Sequence, residues 1–196
     1  MNEDRLAQQL RFILELDQLK SVFRQSRLIH TDRMENSAEH SWHLAMLAIV
    51  LAEYAADDID LARVVKMALV HDIVEIDAGD TYIYDEQARQ EMAEKEQQAA
   101  ERIFGLLPDP QAAEFRALWE EYEAKQTPEA RFAGALDRVQ PLLLNFHTQG
   151  QMWRHHGIRS GQVIKINKAI EAGSPELWTF AKQLIQDAVE QGYLAP

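Results

Sequence analysis

The chain has 196 residues, of which 46% are hydrophobic, and this length is enough for one globular domain with a sizeable core. Its formal charge of −12 argues against nucleic-acid binding through a broad basic surface, because such binding rests on Lys and Arg contacts to phosphates. The absence of cysteine excludes disulfides and thiolate metal sites, so a bound metal would need imidazole and carboxylate ligands.

Apolar residues recur at helical spacing along nearly the whole chain, and alternating β-branched runs are absent, so we predict an all-α fold. The stretch 6–19 predicts a first amphipathic helix. Ser37 is a candidate N-cap for a second helix over residues 38–55. Asp60 is a candidate N-cap for a third helix that ends near His71.

The second half of the chain carries further helix signals. A long charged helix is predicted over residues 85–107, and another over residues 111–124. Thr127 and Ser174 each precede a proline and a glutamate, which is the order of an N-cap, a first-turn proline and an acidic first turn. Loops are predicted at residues 26–37, 76–84 and 148–160.

His71 and Asp72 are adjacent hard metal ligands at the end of the third predicted helix. A His-Asp pair arises easily by chance in a chain with seven histidines, so its context decides. His40 lies at the start of the second predicted helix, on the same face as His43. If these helices form an antiparallel hairpin, His40 meets His71 and Asp72 at one end of a bundle. The alternative is that His40 or His43 packs in the core or caps a helix.

Asp137 interrupts the largely apolar stretch 132–143. An aspartate on an apolar helix face must be paired, hydrogen-bonded or metal-bound, because burial of a lone carboxylate is very costly. Asp137 is therefore a candidate for a fourth ligand. An ion pair with Arg138, or exposure to solvent, is the alternative that this segment leaves open.

These residues together resemble the H…HD…D signature of the HD superfamily of metal-dependent phosphohydrolases. The stretch from Arg33 to His40, with Arg24 before it and Glu75 and Asp80 after it, is similar to the branch that contains 5′-deoxynucleotidases. The resemblance covers about residues 10–145. It implies an HD-domain helical bundle in a single domain of residues 1–196, with the C-terminal helices of residues 146–196 packed on the bundle.

The resemblance also implies roles for individual side chains. One divalent cation, Mn, Co, Mg, Zn or Fe, would be bound by four residues: His40, His71, Asp72 and Asp137. Glu75 would act as an acid or base or orient water, and Asp80 would lie near the substrate sugar and the attacking water. Arg24 and Arg33 would bind phosphate. The branch has a tryptophan after the first arginine, and Gln25 stands there instead, which leaves rejection of the ribose 2′-hydroxyl open.

The implied function is release of inorganic phosphate from nucleoside 5′-monophosphates, deoxynucleotides among them, by attack of a metal-bound water. The alternatives are another HD-type phosphodiester or polyphosphate hydrolase, a diiron oxygenase, and a non-catalytic nucleotide-binding module. A homodimer is implied as well. No apolar stretch approaches membrane-spanning length and the N-terminus lacks signal-peptide features, so we expect a cytoplasmic protein with neither a membrane nor a nucleic-acid partner.

Overall fold

The structure, a computed structural model, describes residues 4–80, 84 and 86–196, and for residues 86–91 the backbone alone. It is largely helical, which confirms the all-α prediction. The helices are α1 Arg5–Glu15, α2 Ser37–Leu51, α3 Leu61–Val70, α4 Glu75–Ala78, α5 Glu86–Phe104, α6 Asp109–Ala124, α7 Pro128–His147, α8 Gln151–His155, α9 Ser160–Asn167, α10 Ile170–Gly173 and α11 Pro175–Glu190. The strands are β1 Phe23–Arg27 and β2 Met34–Asn36, and short 3-10 helices cover Leu16–Ser21 and Ala52–Tyr54. None of the helices in these described ranges is long and apolar enough to cross a bilayer.

The two strands form an antiparallel hairpin in which Phe23 lies opposite Asn36 and Arg27 opposite Met34, with an irregular register between the pairs. The strands occupy both ends of the segment 26–37, so the loop predicted there was wrong at its ends, whereas residues 28–33 between the strands do form a loop. Strands this short contain too few residues for a twofold alternation to be recognised in sequence.

Other boundaries also differ from the predictions. The segment 148–160 contains the short helix α8, and α4 overlaps the start of the predicted loop 76–84. Residues 81–83 of that loop, and Asp85 at the predicted start of the long charged helix, lie outside the described residues. Boundaries are the least determined part of a periodicity argument, because end turns make few packing contacts.

Three predicted N-caps are confirmed, those at Asp60, Thr127 and Ser174. The prediction for Ser37 was wrong by one residue. Asn36 caps α2 instead. Its side-chain Oδ1 accepts from the backbone N–H of Glu39 at 2.9 Å, and its backbone N–H donates to Glu39 Oε2 at 3.2 Å. This reciprocal capping box leaves the Ser37 hydroxyl available for a contact with another part of the fold.

Helix α7 lies at the centre of the larger hydrophobic cluster. Its buried Phe132 and Leu136 pack in one cluster with Leu44 of α2 and Met67 of α3, and all four side chains are fully buried. The C-terminal helices contribute to the same cluster, as predicted, for example through Ile185 of α11. A second cluster joins α1, α5 and α6. The start of α2 and the end of α3 are thereby held together against α7.

Gly173 marks the closest approach of α10 to α7. A Cβ at this position would collide with the carbonyl oxygen of Arg131 and lie 2.9 Å from the Cβ of Ala135. Gly173→Ala is therefore expected to lower the free energy of unfolding by about 1–3 kcal/mol, the usual range for overpacking. Urea denaturation measures it. Gly161→Ala in α9 is the matched control, since nothing lies within 4 Å of the added carbon, and it should be neutral or stabilising. Equal losses in both variants would contradict the steric argument.

Candidate metal centre and its cavity

His40, His71 and Asp72 come together as the hairpin hypothesis requires. One potential ligand atom from each lies within 4.8 Å of the others. His40 stands in the first turn of α2, whereas His71 and Asp72 directly follow α3. All three are buried, with 0%, 5% and 6% of their surface exposed. Two imidazoles and a carboxylate therefore share one small, largely buried volume.

The orientation of His71 prepares it for a cation. Its Nδ1 lies 2.9 Å from the carbonyl oxygen of Ala68, and because a carbonyl only accepts, Nδ1 carries the proton. The lone pair is then on Nε2, which is buried 2.9 Å from Asp72 Oδ1 and makes no hydrogen bond within the described part of the chain. A buried lone pair beside a carboxylate suits a divalent metal that accepts nitrogen and oxygen ligands.

Asp137, on α7, lies beside the same two histidines. Its Oδ1 lies 3.0 Å from His40 Nε2 and 3.9 Å from His71 Nε2. Its Oδ2 accepts a hydrogen bond of 2.9 Å from the Tyr122 hydroxyl. Burial by itself raises the pKa of Asp137, but the hydrogen bond and charge of His40 hold that pKa well below its usual value. The carboxylate therefore stays ionised and faces both histidines.

Glu35 lies behind His40 and was missed by sequence reasoning. It is 1% exposed, and its Oε2 lies 3.6 Å from His40 Nδ1. Gln140 of α7 donates to the other carboxylate oxygen at 2.9 Å. A carboxylate on the far nitrogen of a histidine is a common way to orient an imidazole ligand. Nothing in the sequence separates Glu35 from the other 31 acidic residues, because its burial depends on α7.

Arg24 lies on β1 in the middle of the carboxylates. Its Nη1 donates to Asp72 Oδ2 at 2.7 Å and lies 3.7 Å from both Glu75 Oε1 and Asp80 Oδ1. Its Nη2 lies 3.9 Å from Asp137 Oδ1. Burial opposes the charge, but these carboxylates together raise the pKa of Arg24 above its already high value. The guanidinium is therefore a fixed positive charge beside the candidate ligands.

Glu75 and Asp80 are carboxyl groups of a different character. Burial and the charge of Asp72 raise the pKa of Glu75 well above its usual value, although Arg24 acts in the opposite direction. The pKa of Asp80 is raised as well, chiefly by burial. The Ser37 hydroxyl, left free by the Asn36 cap, donates to Glu75 Oε2 at 2.6 Å. Glu75 thus retains a proton over a wider pH range than a solvent-exposed glutamate.

A cavity of about 360 Å³ opens onto this cluster. Six of the predicted site residues line it: Arg24, His71, Asp72, Glu75, Asp80 and Asp137. Gln25 lines it as well. Arg33 is not among the lining residues. Its guanidinium donates to both carboxylate oxygens of Glu39, at 2.5 and 2.8 Å, so the structure places it apart from the other predicted site residues.

Comparisons with known proteins agree with this arrangement. The HD domain family matches residues 16–178 of the chain. The human protein named 5′-deoxynucleotidase HDDC2 is 33% identical over 135 residues, which cover 68% of this chain and 65% of the human protein. The match therefore spans less than two thirds of that relative's length. The Schizosaccharomyces pombe protein named 5′-deoxynucleotidase hdd1 is 27% identical over 184 residues, covering 91% of this chain and 83% of the yeast protein.

A solved structure is similar along nearly the entire chain. It is the crystal structure of a protein from Magnetospirillum magnetotacticum MS-1 that is described as a predicted metal-dependent phosphohydrolase. The two chains are 54% identical, with a TM-score of 0.93, and the match covers 99% of this chain and 100% of the other. A similarity of this extent includes α1, α7 and the C-terminal helices, well beyond the predicted ligands.

Proposed function

Because this chain belongs to the HD domain family, we propose that it is a metal-dependent phosphohydrolase that releases inorganic phosphate from nucleoside 5′-monophosphates. One observation carries the proposal: His71 and Asp72 of the buried His-Asp cluster line the same cavity as Arg24. Its volume lies within the range of about 300–1,000 Å³ usual for small-molecule sites. The human and fission-yeast relatives are named 5′-deoxynucleotidases, which favours a nucleotide as substrate.

The proposed metal ligands are His40, His71, Asp72 and Asp137. A bound divalent cation would supply positive charge to a phosphate and lower the pKa of coordinated water. Nitrogen and oxygen ligands of this kind accept Mn, Co, Mg, Zn or Fe, so metal content of the protein as purified is the measurement that identifies the ion. One strongly held ion per chain is expected, and two would favour a two-metal phosphodiesterase or oxygenase.

The remaining side chains of the proposed site are assigned to substrate binding and to proton transfer. Arg24 presents a fixed cationic fork, which suits the oxygens of a phosphate, and we assign it to phosphate binding. We assign Glu75, whose raised pKa lets it keep a proton to higher pH than an exposed glutamate, to passing a proton to the leaving 5′-oxygen. Asp80 is assigned to the substrate sugar and the attacking water. Arg33, paired with Glu39 outside the cavity, would have to leave that pair to reach a phosphate.

A substrate panel tests the proposal. The purified protein is incubated with each deoxyribonucleoside and ribonucleoside 5′-monophosphate, together with Mn²⁺, Co²⁺ or Mg²⁺, and released phosphate is measured. Because the polar Gln25 lines the cavity, we expect turnover of both sugar types. Release from polyphosphate or phosphodiesters instead would favour the alternative hydrolase reactions. Binding without release would favour a non-catalytic module, and neither binding nor release would overturn the proposal.

Glu35→Gln is expected to weaken metal binding by about 10–100-fold, the usual effect of removing a group that orients a metal ligand. The change keeps the size of the side chain but removes the charge that faces His40 Nδ1 at 3.6 Å. Titration of the metal-free protein with Mn²⁺ measures the affinity. Glu39→Gln is the control, because glutamine also completes a capping box and, among the described residues, the Glu39 side chain pairs with Arg33 and Asn36 rather than with the His40 ring. Unaltered Mn²⁺ affinity in Glu35→Gln would remove Glu35 from the proposed site.

A homodimer, a cytoplasmic location and a single domain over residues 1–196 complete the proposal. Four apolar side chains lie along one face of α2 and are between 40% and 63% exposed: Trp42, Met46, Ile49 and Val50. A contiguous exposed apolar face is typical of an interaction surface. Light scattering after gel filtration tests the dimer, cell fractionation the location, and a single cooperative unfolding transition the single domain.

A further inference from the structure

Two residues that line the cavity carry polar atoms without a hydrogen-bond partner in the part of the chain that the structure describes. Arg138 and Asn145 both line the cavity, and their spacing of seven residues puts them on one face of α7. Nη1 of Arg138 and Oδ1 of Asn145 are buried, and neither has a hydrogen-bond partner among the described residues. Buried polar atoms are nearly always hydrogen-bonded in folded proteins. A ligand in the cavity would supply the missing partners.

The two atoms have opposite hydrogen-bonding character. The Asn145 amide is oriented by its own helix, since Nδ2 donates to the Pro141 carbonyl at 2.9 Å. Its free atom is therefore Oδ1, which only accepts, whereas the guanidinium of Arg138 only donates. This wall offers one donor and one acceptor to a bound molecule. A phosphate or a carboxylate, which accepts only, would leave Asn145 unsatisfied.

Apolar and aromatic side chains line the same cavity as these two residues. Trp153, which is 1% exposed, and Leu142 line this cavity, and so does Pro141, which lies one turn before Asn145. The Tyr84 hydroxyl is engaged by the side chains of Trp153 and Asn167, so its ring remains as a further aromatic surface of the cavity. Apolar and aromatic walls with a few placed polar groups are typical of sites for small organic ring systems.

The position of this wall along α7 suits the far end of a nucleotide. Asp137, in the proposed metal site, precedes Asn145 by eight residues, which corresponds to about 12 Å along a helix at 1.5 Å per residue. That length is comparable to the distance from phosphorus to the outer edge of the base in a nucleoside monophosphate. A phosphate beside Arg24 would therefore place the outer edge of the base near Asn145, whereas Arg138, the residue after Asp137, lies nearer the phosphate end of the substrate.

We propose that Arg138 and Asn145 form a subsite for the nucleobase of the substrate, Arg138 donating to the ring nitrogen or carbonyl oxygen next to the sugar and Asn145 accepting from an N–H on the outer edge of the base. The inference rests on the proposed function and specifies which part of the substrate this wall recognises. Every common base presents both a donor and an acceptor on its edge. The subsite therefore selects nucleotides over sugar phosphates rather than one base over the others.

The test compares kcat/KM for a deoxynucleoside 5′-monophosphate with that for 2-deoxyribose 5-phosphate, which has the same phosphate ester but no base. The wild-type protein should prefer the nucleotide. In Arg138→Met and in Asn145→Leu, the ratio of the two values should fall about tenfold or more, mainly through KM for the nucleotide, because each change removes one hydrogen bond in a desolvated site. Arg138→Lys, which keeps a donor, should retain more of the preference than Arg138→Met.

Thr148→Val is the matched control for Asn145→Leu. Thr148 lies on the same helix and makes the same kind of bond, from its hydroxyl to the Leu144 carbonyl at 2.8 Å, but does not line the cavity. Its ratio should equal that of the wild type. Turnover of the sugar phosphate by each variant shows that the protein is folded. If the wild type hydrolyses both compounds and the Arg138 and Asn145 variants keep its ratio, the subsite is refuted. If it hydrolyses neither these nor any nucleotide, the proposed function itself fails.

Discussion

Asp72→Ala is expected to abolish tight metal binding and phosphate release together. The Asp72 carboxylate is buried between His71 Nε2 at 2.9 Å and Arg24 Nη1 at 2.7 Å. Removing one member of a buried set of charges costs about 3–5 kcal/mol, since the remaining charge is left uncompensated. Because a direct ligand is lost as well, Mn²⁺ affinity should fall by more than the about 10–100-fold that removal of an orienting group costs. Mn²⁺ titration and phosphate release, measured on the same preparation, report the two effects.

Asp77→Ala is the matched control for this change. Asp77 lies only five residues further on, in α4, but its partner is the exposed Arg102 on the surface. Ion pairs of that kind contribute little, so both affinity and turnover should stay close to those of the wild type. Asp72→Asn, which preserves shape, distinguishes loss of charge from loss of folding. Wild-type Mn²⁺ affinity in a folded Asp72→Asn or Asp72→Ala protein would exclude Asp72 as a ligand.

Glu75→Gln is expected to lower kcat by about 10²–10⁴-fold, the usual contribution of a positioned acid or base. Metal affinity should change little, because Glu75 is not among the proposed ligands. Burial and the charge of Asp72 raise the pKa of Glu75, so the protonated form persists to higher pH than in an exposed glutamate. If this proton is donated in the reaction, kcat falls as pH rises through that pKa. The glutamine variant should lack this falling limb in a kcat–pH profile.

Ser37→Ala tests whether the pKa of Glu75 sets the falling limb of the kcat–pH profile. The Ser37 hydroxyl donates to Glu75 Oε2 at 2.6 Å and thereby lowers the pKa of that carboxyl. Without it the pKa of Glu75 should rise further, and the falling limb should move to higher pH while most of kcat remains. A Glu75→Gln protein with wild-type kcat and an unchanged pH profile would show that Glu75 takes no part in proton transfer.

The helices are determined by interactions between residues close in the chain, and such interactions can be recognised in the sequence. Apolar periodicity and the caps Asp60, Thr127 and Ser174 act within a few residues of one another, and they predicted helices that the structure confirms. The hairpin of β1 and β2 was missed because its stability depends on pairing between two segments that are individually too short to show a pattern. Ser37 was misassigned because Asn36, an equally good cap, precedes it.

The candidate site also has features that the sequence predicts and features that depend on contacts between distant residues. The motif residues His40, His71, Asp72 and Asp137 were selected from type, spacing and family resemblance, and the fold brings their side chains together. Arg33 was selected on the same basis, yet its guanidinium pairs with Glu39 outside the cavity. Two arginines nine residues apart look alike in sequence. The turn of the hairpin between them decides which of the two faces the carboxylates.

The sequence by itself determined the fold class, the helix starts and the identity of the ligand types, because capping, periodicity and the absence of cysteine are properties of short stretches or of composition. Only the tertiary structure decided that Glu35 is buried behind His40, that Glu75 takes the Ser37 hydroxyl, and that Arg138 and Asn145 share a cavity with the metal site. These features depend on burial and on contacts between residues far apart in the chain. Both depend on how α7 packs against α2 and α3.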